Sequence, residues 1–275
     1  MNSNQKILFT DMDGTLLDDQ KNISPAVHQA LCDLVERGHL LVLSSGRPIG
    51  SIIETRDRLQ LPHKGSYIIA YNGSLTYSCD LSAPVFEHTV SLEDLRIIME
   101  EAHKLNIHCQ TYENGAIIVE KEDDELAFYK KNIHIPHKVV GDITAYMTVR
   151  PYKLLATHLS DKSQLETLKE RVLSRTSAEI LPTFSNDNYL EFYTKDSGKG
   201  TAVLELCRHL GIPVANSAAI GDEFNDLSMI QAAGLGCAMA NARDEIKKAA
   251  TFITTRDNNH DGILDLIEHF FTLPQ

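Results

Sequence analysis

The chain has 275 residues, 43% of them hydrophobic, and a formal net charge of −12 at pH 7. Such a length and apolar content suit one large domain or two smaller ones with a real core, and exclude disorder as the default. The acidic balance argues against nonspecific nucleic-acid binding, which needs clustered Lys and Arg, and no apolar run approaches the roughly 20 residues of a membrane span.

Five cysteines (Cys32, Cys79, Cys109, Cys207, Cys237) are widely spaced and contain no Cys-x-x-Cys. They suggest buried free thiols in a reducing compartment rather than a disulfide framework or a zinc site. The polar residues 1–5 run straight into the first apolar stretch, so a cytoplasmic location is expected.

In chain order, Lys6-Ile7-Leu8 opens a buried strand that runs into Phe9-Thr10-Asp11-Met12-Asp13-Gly14-Thr15-Leu16. On an extended backbone Asp11 and Asp13, two residues apart, point the same way. Paired carboxylates can bind a divalent cation, and with it one oxygen can attack an electrophile while the other carboxyl moves a proton. Gly14 permits a tight turn that Thr15 can tie to its own backbone. The lesser reading of the stretch taken alone is an Asp-Gly hairpin turn on the surface.

Ser24-Pro25 then caps a helix burying Val27, Leu31, Leu34 and Val35, which Gly38 ends. Leu40 to Leu43 reads as the second strand of a βαβ unit under helices on both faces. At its end Ser44-Ser45-Gly46-Arg47-Pro48 puts a hydroxyl and a glycine before a helix N-terminus, a place for phosphate or a plain Ser-Gly turn. Tyr67 to Ala70 is the next strand, and Asn72-Gly73 reads as a hairpin turn.

From about Asp80 to Asn188 the pattern becomes α+β: Ser91-x-x-Asp94 opens a helix to Leu105, Asn114-Gly115 joins two strands, Lys153 to Leu159 is a strand and Ser163 to Arg175 a helix. His134-x-x-His137 has Pro136 between its histidines and no third ligand nearby, so a loop is expected.

Tyr189 to Tyr193 is read as the return to the first domain, followed by Ser197-Gly198-Lys199-Gly200-Thr201 and a helix to Leu210. A P-loop would need Gly at Tyr193 and Ser or Thr at Gly200, so Lys199 is instead an unobstructed cation at a helix start. Ser217 to Ile220 ends in Gly221-Asp222-Glu223-Phe224-Asn225-Asp226, where Asp222 adds a third acid for a hard cation. Asp226, four residues on, is expected on the same helix face, orienting Asp222. Gly234-Leu235-Gly236 lacks the third glycine of a dinucleotide fingerprint, Met239 standing in its place. Strands at Cys237 to Met239 and Thr251 to Thr254, and a helix from Gly262 to Phe271, complete the chain.

Asp11-x-Asp13-Gly14-Thr15, Ser45-Gly46-Arg47-Pro48, Lys199-Gly200 and Gly221-Asp222-x-x-Asn225-Asp226 together resemble, in order, the four motifs of the haloacid dehalogenase-like (HAD) superfamily. The Ser-Gly-Arg-Pro form and Asn72-Gly73 are similar to the Cof-like, type IIB branch. The resemblance implies an α/β fold: a Rossmann-like, doubly wound parallel-sheet core (1–80 and 189–275) with an inserted α+β cap of the C2 type (81–188). It also implies a Mg²⁺-dependent phosphatase of small phosphorylated metabolites, sugar phosphates being favoured, with no nucleic-acid, membrane or protein partner indicated.

By resemblance Asp11 is the nucleophile and Asp13 the general acid and base; Asp11, Asp13 and Asp222 hold the metal; Met12, Ser45, Gly46, Lys199 and Asn225 bind phosphate; Thr15 and Asp226 support them; and Arg47 and Asn72 contact substrate. A phosphomutase of the same superfamily is the alternative. From another class comes a phosphoryl-accepting or ligand-sensing regulator.

Overall fold

The computed structural model describes residues 4–131 and 133–271, which divide into two compact units. The first comprises residues 4–46, 52–86 and 198–271, and the second residues 47–51, 87–131 and 133–197.

The first unit begins with β1 (Ile7–Asp11), α1 (Pro25–Glu36) and β2 (Leu40–Ser44). α2 (Ile49–Arg58), β3 (Ser66–Ala70), β4 (Leu75–Ser78) and β5 (Ala83–Glu87) follow. Helix α1 starts where the Ser24 side chain accepts from Val27 N at 3.1 Å, and it buries Val27, Leu31 and Leu34.

The second unit holds α3 (Leu92–Lys104), β6 (His108–Glu113), β7 (Ala116–Val119), α4 (Asp124–Tyr129), β8 (His137–Val139) and α5 (Ile143–Tyr146). It ends with β9 (Leu154–Thr157), α6 (Lys162–Leu173), β10 (Ile180–Asn186) and β11 (Tyr189–Thr194). The first unit then resumes with α7 (Lys199–Leu210), β12 (Ser217–Gly221), α8 (Leu227–Ala232), β13 (Leu235–Ala238), α9 (Asp244–Ala249), β14 (Phe252–Ile253) and α10 (Ile263–Phe271).

In the first unit one eight-stranded sheet runs β14-β13-β12-β1-β2-β3-β4-β5, parallel from β14 through β3, with β4 antiparallel to β3. Alternation along β1 places Ile7 and Phe9 on one face. There they join Val42, Ile69 and Ala219 under Ala202, Val203 and Leu206 of α7 and Met229 of α8. Helices α1 and α10 pack together against the sheet at β2 and β12. Asp11 is the last residue of β1 and shares the parity of Ile7 and Phe9, so its side chain emerges on the α7 face.

The second unit is a six-stranded sheet, β10-β11-β9-β6-β7-β8, antiparallel except for β7 beside β8. Helices α3 and α6 bury Leu95, Ile98, Met99, Leu165, Leu168 and Val172 in a core that includes Leu154, Leu190 and Phe192 of the sheet. Strand β11 therefore belongs here: it contains Tyr189 to Tyr193, read above as the return to the first unit, but pairs with β9 and β10, and the chain re-enters at Gly198. The expected loop at His134-x-x-His137 ends in strand β8, where His137 bonds Lys130 Nζ at 2.8 Å and Glu122 Oε1 at 2.9 Å. All five cysteines are unpaired, four of them buried, and no helix among the described residues is long and apolar enough to cross a membrane.

Candidate active site

The segments that follow the parallel strands β1, β2 and β12 lie at the C-terminal edge of the first unit's sheet, where ligands of open α/β sheets bind, and the start of α7 joins them there. Lys199, the first residue of α7, is 1% exposed. Its ammonium lies 2.5 Å from Asp11 Oδ1 and 2.6 Å from Asp226 Oδ1, and donates to Ser44 O at 3.3 Å. The approach of α7 depends on a bare backbone at Gly73: its φ is +100°, and a Cβ there would come within 2.3 Å of the Gly198 carbonyl.

Asp226 is fully buried and spends both oxygens. While Oδ1 takes Lys199, Oδ2 accepts the amides of Asp222 at 3.0 Å and Glu223 at 3.1 Å. It thus orients Asp222 through main chain. The expected shared helix face does not form, because residues 222–226 make a turn ahead of α8, a short 3₁₀ segment (Phe224–Asp226) capped by Glu223. The Asp222 carboxylate is steadied by Thr15, whose hydroxyl donates to Oδ1 at 2.8 Å, rather than Thr15 serving its own turn. Gly14, at φ +77°, packs so closely on Asp222 that a Cβ would lie 2.5 Å from Oδ2.

Burial, with Asp226 next, pushes the Asp11 carboxyl well above its usual range against the pull of Lys199. Burial likewise raises Asp222 to about 6, with the Thr15 bond opposing and Asp226 adding. Burial alone would lower the Lys199 ammonium, but Asp11 and Asp226 outweigh it and hold it above the ordinary lysine value. Three acids thus surround one ammonium, and full ionisation would bury uncompensated negative charge.

An all-oxygen set answers that imbalance with a hard divalent cation: ligand oxygens of Asp11, Asp222 and Asp226 lie within 4.8 Å of one another. The Ser44 hydroxyl, opposite Asp11 in the β1–β2 register and buried without a partner, is a further polar atom there. The donor set fits Mg²⁺, with Asp11 and Asp222 the carboxylates that keep capacity.

The family profile of haloacid dehalogenase-like hydrolases matches residues 8–267. The chain belongs to the haloacid dehalogenase-like hydrolases. YxeH of Bacillus subtilis, a phosphatase by name, is 31% identical, the match covering 95% of this chain and 97% of that one. YcsE of the same organism, named a 5-amino-6-(5-phospho-D-ribitylamino)uracil phosphatase, is 26% identical over 96% of this chain and 95% of its own. A haloacid dehalogenase-like hydrolase from Bacteroides thetaiotaomicron has a TM-score of 0.89 at 29% identity, covering 96% and 99% of the two chains. A structure from Thermotoga maritima has a TM-score of 0.87 at 27% identity, covering 98% of each. The protein is thus a HAD-like phosphatase built as a parallel-sheet core with an inserted cap.

Within this HAD hydrolase Lys199 is the phosphate candidate bonded to Asp11, while Ser45, Gly46 and Asn225 are linked to one another through Asn72. Ser45 is buried, its amide bonded to Ile69 O at 2.8 Å and its carbonyl accepting from Asn72 N at 3.1 Å. Asn72 Oδ1 accepts from Asn225 Nδ2 at 3.2 Å, and the Asn72 amide lies against Gly46. The Met12 side chain is fully buried, so its main chain is what it can offer a ligand. Arg47 goes with the 47–51 segment of the second unit.

Asp13 departs from expectation. Strand β1 ends at Asp11 and the chain turns, so the period-two rule no longer applies. The Asp13 carboxylate, 40% exposed, meets Lys21 Nζ at 2.7 Å instead of joining the acidic cluster. Asn241, whose Nδ2 donates to Gly14 O at 2.8 Å, was missed altogether. Its place just after strand β13, at the same end of the sheet as the acids, is the one signal that could have found it.

Proposed function

We propose that this protein hydrolyses phosphomonoesters of small metabolites, sugar and polyol phosphates foremost, in a Mg²⁺-dependent reaction through an aspartyl-phosphate on Asp11. The observation that carries this reading is the Asp11–Lys199–Asp226 arrangement: a strand-end carboxylate fixed by one buried ammonium, with Asp222 in reach. Asp11 attacks phosphorus in line and forms an acyl phosphate, the ester bond breaks, and Asp13 gives its proton to the leaving alcohol. Asp13 then takes a proton from the water that attacks the aspartyl-phosphate, releasing inorganic phosphate and restoring Asp11. Lys199, Ser45 and Asn225 hold the charge of the transferring group. A bound Mg²⁺, held by Asp11, Asp222 and the Asp13 carbonyl, would supply the positive charge that keeps the acids ionised and draws in phosphoryl oxygens.

The Lys21–Asp13 pair does not bar Asp13 from this role. Its side chains are 52% and 40% exposed, and such pairs contribute only about 0–1 kcal/mol, so this pair is cheap to break. That favours turnover over a phosphoryl-accepting regulator, which needs the second acid out of reach. Three Bacillus subtilis relatives at 25–27% identity are named for a substrate with phosphate on a ribityl chain, which supports the polyol class. Free thiols and the acidic balance support a cytoplasmic setting.

The test is phosphate release from p-nitrophenyl phosphate and a panel of phosphorylated metabolites. Release from none of them would end the reading, and transfer to a second sugar hydroxyl in place of release would make the protein a phosphomutase. Asp13→Asn should lower kcat by about 10² to 10⁴, the usual share of general acid and base catalysis. EDTA should abolish activity and Mg²⁺ restore it. Ca²⁺, with more ligands at longer distances, should restore it poorly. Full activity in metal-free buffer would contradict the proposed metal site.

A further inference from the structure

The loop that carries Asp13 is held from outside by two asparagines. Asn241 donates Nδ2 to Gly14 O at 2.8 Å and accepts Asn258 N on Oδ1 at 3.2 Å, so both ends of its amide are used. Asn258 in turn donates Nδ2 to Leu17 O at 3.0 Å, at the point where Leu17 N closes the loop onto Met12 O at 2.8 Å. The turn containing Asn241 also grips the other acidic loop. Met239 N donates to Gly221 O and Arg243 N to Asp222 O, each at 3.1 Å.

Residues 239–243 therefore bond both acid-bearing loops, but by different means. The grip on Gly221 and Asp222 is main chain and largely independent of side-chain identity. The grip on Gly14 is a single side-chain amide. Gly14 is the residue packed against the Asp222 carboxylate and the neighbour of Asp13, so a shift of its carbonyl moves both acids relative to each other. Asn241 is exposed and its bonds are neutral, so its loss should cost the fold little. Proton transfer in the transition state is far less forgiving, since a misplacement of about 1 Å can cost 10²-fold.

We propose that Asn241 is a positioning residue for the reaction: through the Gly14 carbonyl it sets where Asp13 stands to protonate the leaving group. The proposal rests on the phosphatase reading above. It carries a signature that a purely structural role lacks. An alkoxide leaving group needs its proton from Asp13, whereas p-nitrophenolate leaves without one, so misplacing Asp13 penalises alkyl esters selectively.

The experiment compares Asn241→Ala with wild type on p-nitrophenyl phosphate and on the best alkyl phosphomonoester of the wild-type panel. The expected result is a fall in kcat/KM of about 10- to 100-fold on the alkyl ester, the usual effect of removing a supporting hydrogen bond, with a several-fold smaller fall on the aryl ester. The Tm in metal-free buffer should stay within a few degrees of wild type. Asn258→Ala, which keeps the Asn241 amide and removes the tie at Leu17, should show the same selectivity to a lesser degree and serves if Asn241→Ala does not fold. Equal losses on both esters, or none, would overturn the role of Asn241 while leaving the phosphatase reading intact. A wild-type protein that cleaves neither ester would overturn both.

Discussion

Asp11→Asn should abolish turnover, with phosphate release at least about 10⁴-fold below wild type, because the amide keeps the shape of the side chain but is no nucleophile. The fold should survive. Burial first, and then the neighbouring acids, push the proton affinity of Asp11 up, so replacing it removes part of the buried negative charge, and the amide oxygen can still accept from Lys199. Unfolding of the metal-free variant is therefore expected at or above the wild-type temperature. No acyl phosphate should be trapped on rapid acid quench of the variant with substrate. Near-wild-type phosphate release from a well-folded Asp11→Asn protein would refute the nucleophile assignment.

Lys199→Met should damage both stability and rate. The ammonium is the sole cation bonded to Asp11 and Asp226 among the described contacts, and breaking a buried pair by removing one partner typically costs about 3–5 kcal/mol. The loss should depend on pH with a definite sign. Asp11 already holds its proton more tightly in the folded protein than in the unfolded chain, and without Lys199 it should do so more strongly. The folded variant then binds more protons than the unfolded one, so its stability falls as pH rises above the unfolded carboxylate value near 4. Below that value, where both states are protonated, the deficit should shrink. Denaturant unfolding at pH 4 and pH 7 measures it, and a deficit that is constant or larger at pH 4 would show that Lys199 does not balance these acids.

The acids and the lysine were legible because each ends an apolar run or opens a helix, and the C-terminal edge of a parallel sheet is where such residues converge. Ser24 and Ser91 were legible as caps for a similarly local reason, and both bond the amide three residues on. Directions were harder. The turn after Asp11 sends the Asp13 side chain toward Lys21, and a 3₁₀ turn rather than a helix separates Asp222 from Asp226. Neither backbone choice leaves a mark in hydrophobic periodicity. Strand β11 was placed in the wrong sheet because alternation in Tyr189 to Tyr193 records that one face is buried, not which core buries it. Asn241 was invisible because one asparagine in a loop looks like any other until the carbonyl that it holds is known.

The position of β1 has a consequence for how the chain is made. That strand pairs with β2 on one side and with β12 on the other, and β12 lies beyond the whole of the second unit. During synthesis the apolar edge of Ile7-Leu8-Phe9 must wait unpaired while residues 87–197 are added, on the order of 10 s at typical elongation rates. An open central strand is a template for mispairing, so the first half of the sheet should be the chaperone-dependent part of the newborn protein. The second unit, contiguous apart from residues 47–51 and possessing its own core, can fold during the wait.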